Sequence, residues 1–179
     1  RKGLGISTLA NGTEFYQNRI NYFTTSHQYT ADDIHQIGLK EVARIRAEMQ
    51  VIIDDLGYEG RFEDFIEFLR TDDQFYPKTA EELLLFARDI AKRIDAELPK
   101  FFKTLPRKPY GVVAVPDDLA PNYTGGRYSP SNSDTTAGFY WVNTYNLPSR
   151  TLYTIPALTA HEAVPGHHLQ ISLNNELPK

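Results

Sequence analysis

The sequence predicts a mainly α-helical α+β domain with a small antiparallel sheet ahead of its last helix. Three observations lead there. Two long stretches, 30–57 and 79–98, open on helix-capping patterns and continue with apolar residues at helical spacing. Between 106 and 147, five prolines and several glycines surround two short runs of β-branched and aromatic residues. Residues 148–179 return to helical character and hold three of the five histidines. The chain reads as a single domain in three successive segments: helical over residues 1–105, loops and short strands over 106–147, and a motif helix over 148–179.

Composition narrows the class. An apolar fraction of 41%, with 10 Phe, 11 Tyr and 1 Trp, supports a real core and excludes a disordered chain. The net charge of −4 comes from interspersed residues, and without a polybasic tract neither nucleic acid nor an anionic membrane surface is an expected partner. Having no cysteine excludes a disulfide framework and thiolate metal ligation, and is compatible with either the cytoplasm or the cell envelope. No run approaches the roughly 18 apolar residues of a membrane span. The start Arg1-Lys2-Gly3-Leu4-Gly5 is not a signal peptide and lacks an initiator methionine, which fits a mature form or an excised piece.

In chain order, Tyr16, Ile20 and Phe23 suggest a short first helix over 14–22. Asn11-Gly12-Thr13 matches a glycosylation acceptor but reads more simply as a turn. Thr30-Ala31-Asp32-Asp33 has capping-box spacing. Ile34, Ile37, Val42, Ile45, Met49, Ile52 and Leu56 follow on one face, and Gly57 ends the helix. His35, among those positions, is a structural or surface histidine. A helix over 62–70 presents Phe62, Phe65, Ile66 and Leu69. Thr79-Ala80-Glu81-Glu82 caps another, with Leu83, Phe86, Ala87, Ile90 and Ile94 inward and Pro99 as its stop. Strands are expected over 111–116 and 137–144, whereas 123–128, with Gly125 and Gly126, is too glycine-rich for a core element and lacks the lysine of a phosphate loop. The motif helix begins after Ser149, in two pieces around Pro156.

The histidines carry the chemistry. In His161-Glu162-Ala163-Val164-Pro165-Gly166-His167-His168, two imidazoles could share a zinc ion, with a carboxylate beside one of them as general base. The pattern is similar to the His-Glu-x-x-His helix of zinc peptidases, but Pro165 stands where the second histidine belongs. On a regular helix His168 would return to the face of His161 about 10.5 Å along the axis, and His167 would sit about 120° away. Pro165 cannot continue the helix and Gly166 loosens the backbone, so a bulge could return either one to His161. Geometry alone leaves His167 and His168 as alternatives. The bland reading is a helix end with solvated or capping imidazoles.

The run from His161 through Gln170 closely resembles the signature of the bacterial family called domain of unknown function 885. Phe23-Thr24-Thr25, Ile37-Gly38-Leu39-Lys40-Glu41-Val42 and the strand ending Val142-Asn143-Thr144 resemble it as well. The resemblance implies a helical fold distantly similar to gluzincin zinc peptidases. By analogy with relatives that insert residues before a Gly-His pair, it implies Zn2+ on His161 and His167, with Glu162 catalytic. His168 would then support the site or serve as the alternative ligand. Family members continue past Lys179 to a helix expected to supply the third ligand, so the chain is expected to be a piece of a larger protein. Glu176 reads as an ordinary helix-face residue.

The expected function is therefore that of a zinc-dependent metallopeptidase, hydrolysing peptide bonds with a metal-activated water. Tyr140 and Asn143, on a strand that could pair edge-on with an extended peptide, together with Tyr145 and Arg127, are the candidate substrate contacts. The alternatives are a non-peptide amidohydrolase with the same metal site and a non-catalytic envelope protein that retains the fold.

Overall fold

The structure, a computed structural model, describes residues 5–178; the start Arg1-Lys2-Gly3-Leu4 and Lys179 lie outside them. The chain divides into two compact units, Arg1–Glu67 and Phe68–Lys179.

In the first unit, Asn11 takes a left-handed conformation at the turn expected there, and helix α1 runs Gly12–Thr24. Helix α2, Ala31–Asp55, opens on a complete capping box. The Asp33 amide donates to Thr30 Oγ1 at 3.2 Å and the Thr30 amide donates to Asp33 Oδ2 at 2.8 Å. The Thr30 hydroxyl, donating to Asp33 Oδ2 at 2.6 Å, and then the Thr30 amide hold the Asp33 carboxyl below the usual range. Only Ile53 of α2 is buried, and the expected apolar stripe of Ile34, Ile37, Val42, Ile45, Met49 and Ile52 is exposed. Helix α3, Phe62–Thr71, matches its predicted span, and the division between units falls within it.

The second unit holds the histidines. Helix α4, Ala80–Phe101, starts where Thr79 Oγ1 accepts from the Glu82 amide at 3.0 Å. It passes through Pro99 instead of stopping there. Proline so near the end removes a single helical hydrogen bond, and the Phe102 amide closes the last turn on the Leu98 carbonyl at 2.9 Å. A small sheet of β1 (Tyr110–Ala114), β2 (Gly126–Ser129) and β3 (Gly138–Val142) follows, in the order β1-β3-β2. The mainly helical α+β class thus stands, but the sheet is mixed: β1 pairs parallel to β3, and β2 antiparallel to it.

The strand β2 occupies the stretch expected to be a loop. Gly126 is there because the room is taken: a Cβ would come within 3.0 Å of the Trp141 carbonyl oxygen and 3.1 Å of both Leu158 and Tyr140. Glycine in this case signals close packing rather than looseness.

Pro156 also behaves differently from expectation. It lies in the first turn of α5, Ile155–Glu162, where its missing amide costs no helical bond. The interruption comes after Glu162, and α6 resumes at His167–Asn175. Leu83 and Ala87 of α4, Tyr140 and Val142 of β3, Ile155 of α5 and Ala163 make one core cluster, while Leu98, Val164 and Leu169 make a second under α6. The break between α5 and α6 is therefore held from within, by Ala163 and Val164, both almost wholly buried.

Candidate metal centre

Two backbone contacts shape that break. The Gly166 amide donates to the Ala160 carbonyl at 2.9 Å, and the His168 amide to the Ala163 carbonyl at 3.0 Å. The chain thus doubles back so closely that a Cβ on Gly166 would lie 1.8 Å from the His161 carbonyl oxygen. Only glycine fits there.

This fold-back brings His167, not His168, to His161. Their rings meet edge to face with centroids 4.8 Å apart. One ligand atom from each of His161, Glu162 and His167 can be chosen so that all lie within 4.8 Å of one another. Glu162 Oε2 is 4.0 Å from His167 Nε2. Two donors on one zinc ion in tetrahedral geometry stand about 3.3 Å apart, so rotation of exposed side chains would have to close roughly 1.5 Å. His161 is exposed and His167 half-exposed, which leaves them that freedom, whereas Glu162 is buried. Two imidazoles suit zinc, the Glu162 carboxylate lies beside them, and the site faces solvent from the histidine side.

Glu162 is held from the sheet. The Tyr128 amide, on β2, donates to its Oε2 at 2.8 Å, and no hydrogen bond reaches Oε1 among the described residues.

His168 points the other way, into the core. Its Nδ1 is 2.9 Å from the Tyr128 hydroxyl and 3.3 Å from Ser172 Oγ, and its ring packs against Tyr110 at 4.7 Å. Burial pushes its pKa down, against a backbone hydrogen bond at Lys108. An imidazole so engaged is not free to join His161.

The four candidate substrate contacts are separated from the cluster or spent on structure. The expectation of edge pairing is corrected by the topology: β3 is the central strand, hydrogen-bonded on both sides. Tyr140 is fully buried within the core, and burial first, then the Glu162 charge, pushes its phenol up to about 12. Its hydroxyl and that of Thr159 are neighbours, both buried, and neither achieves hydrogen-bonding geometry. Asn143 is also fully buried. Its Nδ2 donates towards the carbonyls of Ala120, Tyr123 and Thr124 at 2.9, 3.1 and 3.1 Å, pinning the loop before β2. Tyr145 and Arg127 are exposed, and among the described residues neither bonds to His161, Glu162 or His167. Glu176 caps the end of α6 and accepts from the Arg107 amide at 2.8 Å.

A family model described as "Bacterial protein of unknown function (DUF885)" matches residues 5–179. The chain belongs to the DUF885 family. Among solved structures, this DUF885 chain is similar to one described as a "putative lipoprotein" from Colwellia psychrerythraea, at 33% identity and a TM-score of 0.83. That match covers 97% of this chain and 31% of the other, so the chain spans about a third of that relative's length. No curated protein matches it.

Sequence reasoning missed Tyr128, the residue that touches both Glu162 and His168 in this DUF885 chain. The signal was there in the alternation Gly126-Arg127-Tyr128-Ser129, whose first and third members are buried. The glycine pair in front of it obscured the strand.

Proposed function

We propose that the protein containing this chain is a zinc-dependent hydrolase of peptide or small amide bonds, with His161 and His167 as two of its metal ligands and Glu162 as its general base. The observation that supports this reading is the convergence of His161, Glu162 and His167, by way of a backbone fold-back that admits only glycine at position 166. Zinc at such a site supplies a Lewis acid that polarises a carbonyl and acidifies water. Glu162, fixed through Oε2 by the Tyr128 amide, would take the proton of the attacking water on Oε1 and pass it to the leaving nitrogen. The third protein ligand would come from the portion of the longer polypeptide that has no counterpart in these 179 residues, consistent with the 31% coverage of the solved relative. That relative's lipoprotein description supports an envelope location for the whole protein.

Metal analysis of the whole protein tests this. About one zinc per molecule is expected, lost in His161→Ala and in His167→Ala. With His168→Ala, affinity should fall only within about 10–100-fold. A whole protein that binds no zinc, or that keeps it in both His161→Ala and His167→Ala, would overturn the proposal. Assays on peptides against non-peptide amides then decide between the peptidase and amidohydrolase forms of the reading.

A further inference from the structure

Helices α5 and α6 each supply one of the converging histidines, yet four residues and a reversal of the chain separate them. The distance between His161 and His167 therefore depends on the fold-back between the helices and on any further contact that ties their ends together. One residue does so with both of its ends. Through its backbone amide, Tyr128 holds Glu162, the last residue of α5, at 2.8 Å, and through its hydroxyl it holds His168, the second residue of α6, at 2.9 Å.

The setting of this tyrosine is built for the reach. Tyr128 is only 6% exposed and His168 only 3%. Opposite the ring, Gly138 leaves the space that the phenol occupies: a Cβ there would lie 2.1 Å from the Tyr128 oxygen. The His168 ring also packs against Tyr110, whose own hydroxyl is used elsewhere, donating to Asp95 Oδ1 at 2.9 Å. His168 is thus gripped at Nδ1 by one tyrosine and packed by another, and its peptide neighbour is His167.

We propose that Tyr128 is a positioning residue that sets the spacing of His161 and His167 by clamping the ends of α5 and α6 together, acting on the metal site through Glu162 and His168 without touching the metal. This inference rests on the proposed metal site. Second contacts of this kind, which orient a ligand through hydrogen bonds, commonly change metal affinity by about 10–100-fold when removed.

The test is cobalt(II) titration of the whole protein, stripped of metal, read by its visible absorption and compared among the parent, Tyr128→Phe and Tyr110→Phe. Tyr128→Phe deletes one oxygen and keeps the amide that holds Glu162. It should weaken cobalt binding about 10–100-fold and alter the shape of the visible band. Tyr110→Phe removes a part-buried hydroxyl that bonds Asp95 and not His168, and should leave affinity within about threefold. Should Tyr128→Phe fail to fold, Gly138→Ala displaces the same hydroxyl from the other strand and should give the same loss. Parent-like cobalt affinity in whichever of these two variants folds would overturn the clamp while leaving the metal site intact. A parent that binds no cobalt would overturn the proposed function and the clamp with it.

Discussion

Glu162 differs from the histidines on either side of it in being immobilised: it is buried, and one carboxylate oxygen is tied to the Tyr128 amide, while His161 is exposed and His167 half-exposed. A base needs a fixed direction more than a ligand does, because a bound ion itself gathers flexible imidazoles. Glu162→Gln preserves the amide contact and the volume but cannot accept the proton. In the whole protein this variant should keep near-equimolar zinc while turnover of any peptide or amide substrate falls by about 10²-fold or more. Normal turnover in that variant would remove Glu162 from the chemistry. The neighbouring His168 shows the opposite use of the same side chain. Its imidazole is an internal hydrogen-bonding group, and its adjacency to His167 in sequence says nothing of its direction in space.

At the level of elements, two glycines make opposite predictions from the same substitution. Gly166→Ala drives a Cβ into the His161 carbonyl, so unfolding free energy should drop by about 3 kcal/mol or more and metal binding should be lost. Gly38→Ala, in the exposed middle of α2 with nothing within 4 Å of its Cβ, should instead stabilise by about 0.5–1 kcal/mol. Thr79→Ala removes the cap of α4 and should cost about 1 kcal/mol in urea denaturation. These contrasts also explain what could be read in advance. The capped helices α2 and α4 were legible because Thr30-Asp33 and Thr79-Glu82 are local, one-turn relationships. Strand β2 was not, because Gly126 owes its identity to Leu158 and Tyr140, residues distant in sequence. The sheet order was hidden for the same reason. His161 and Glu162 were visible as a pair, but the choice of His167 over His168 waited on the contact between Gly166 and the carbonyls of Ala160 and His161.

For the molecule as a whole, all three converging residues lie in the unit Phe68–Lys179, and none lies in Arg1–Glu67. Metal binding should therefore stabilise the two units unequally. A ligand at 100 times its dissociation constant adds about 2.7 kcal/mol to whatever folds with its site. In hydrogen exchange with and without zinc, added protection should appear in residues 68–178 and not in 5–67. Uniform protection across both would mean that they unfold as one. No described helix is long and apolar enough to cross a membrane.

The strand order has a consequence for how this chain is made. Because β3 lies between β1 and β2, neither earlier strand has a neighbour to pair with until residues 138–142 have left the ribosome. The nascent chain thus carries two unmatched strand edges for the time it takes to synthesise the intervening segment, and α5 and α6 emerge later still. The histidines would then come together only after the sheet has closed beneath them, when Tyr128 is already seated against Gly138. Pulse labelling during refolding should find the amides of β1, β2 and β3 becoming protected in a single phase.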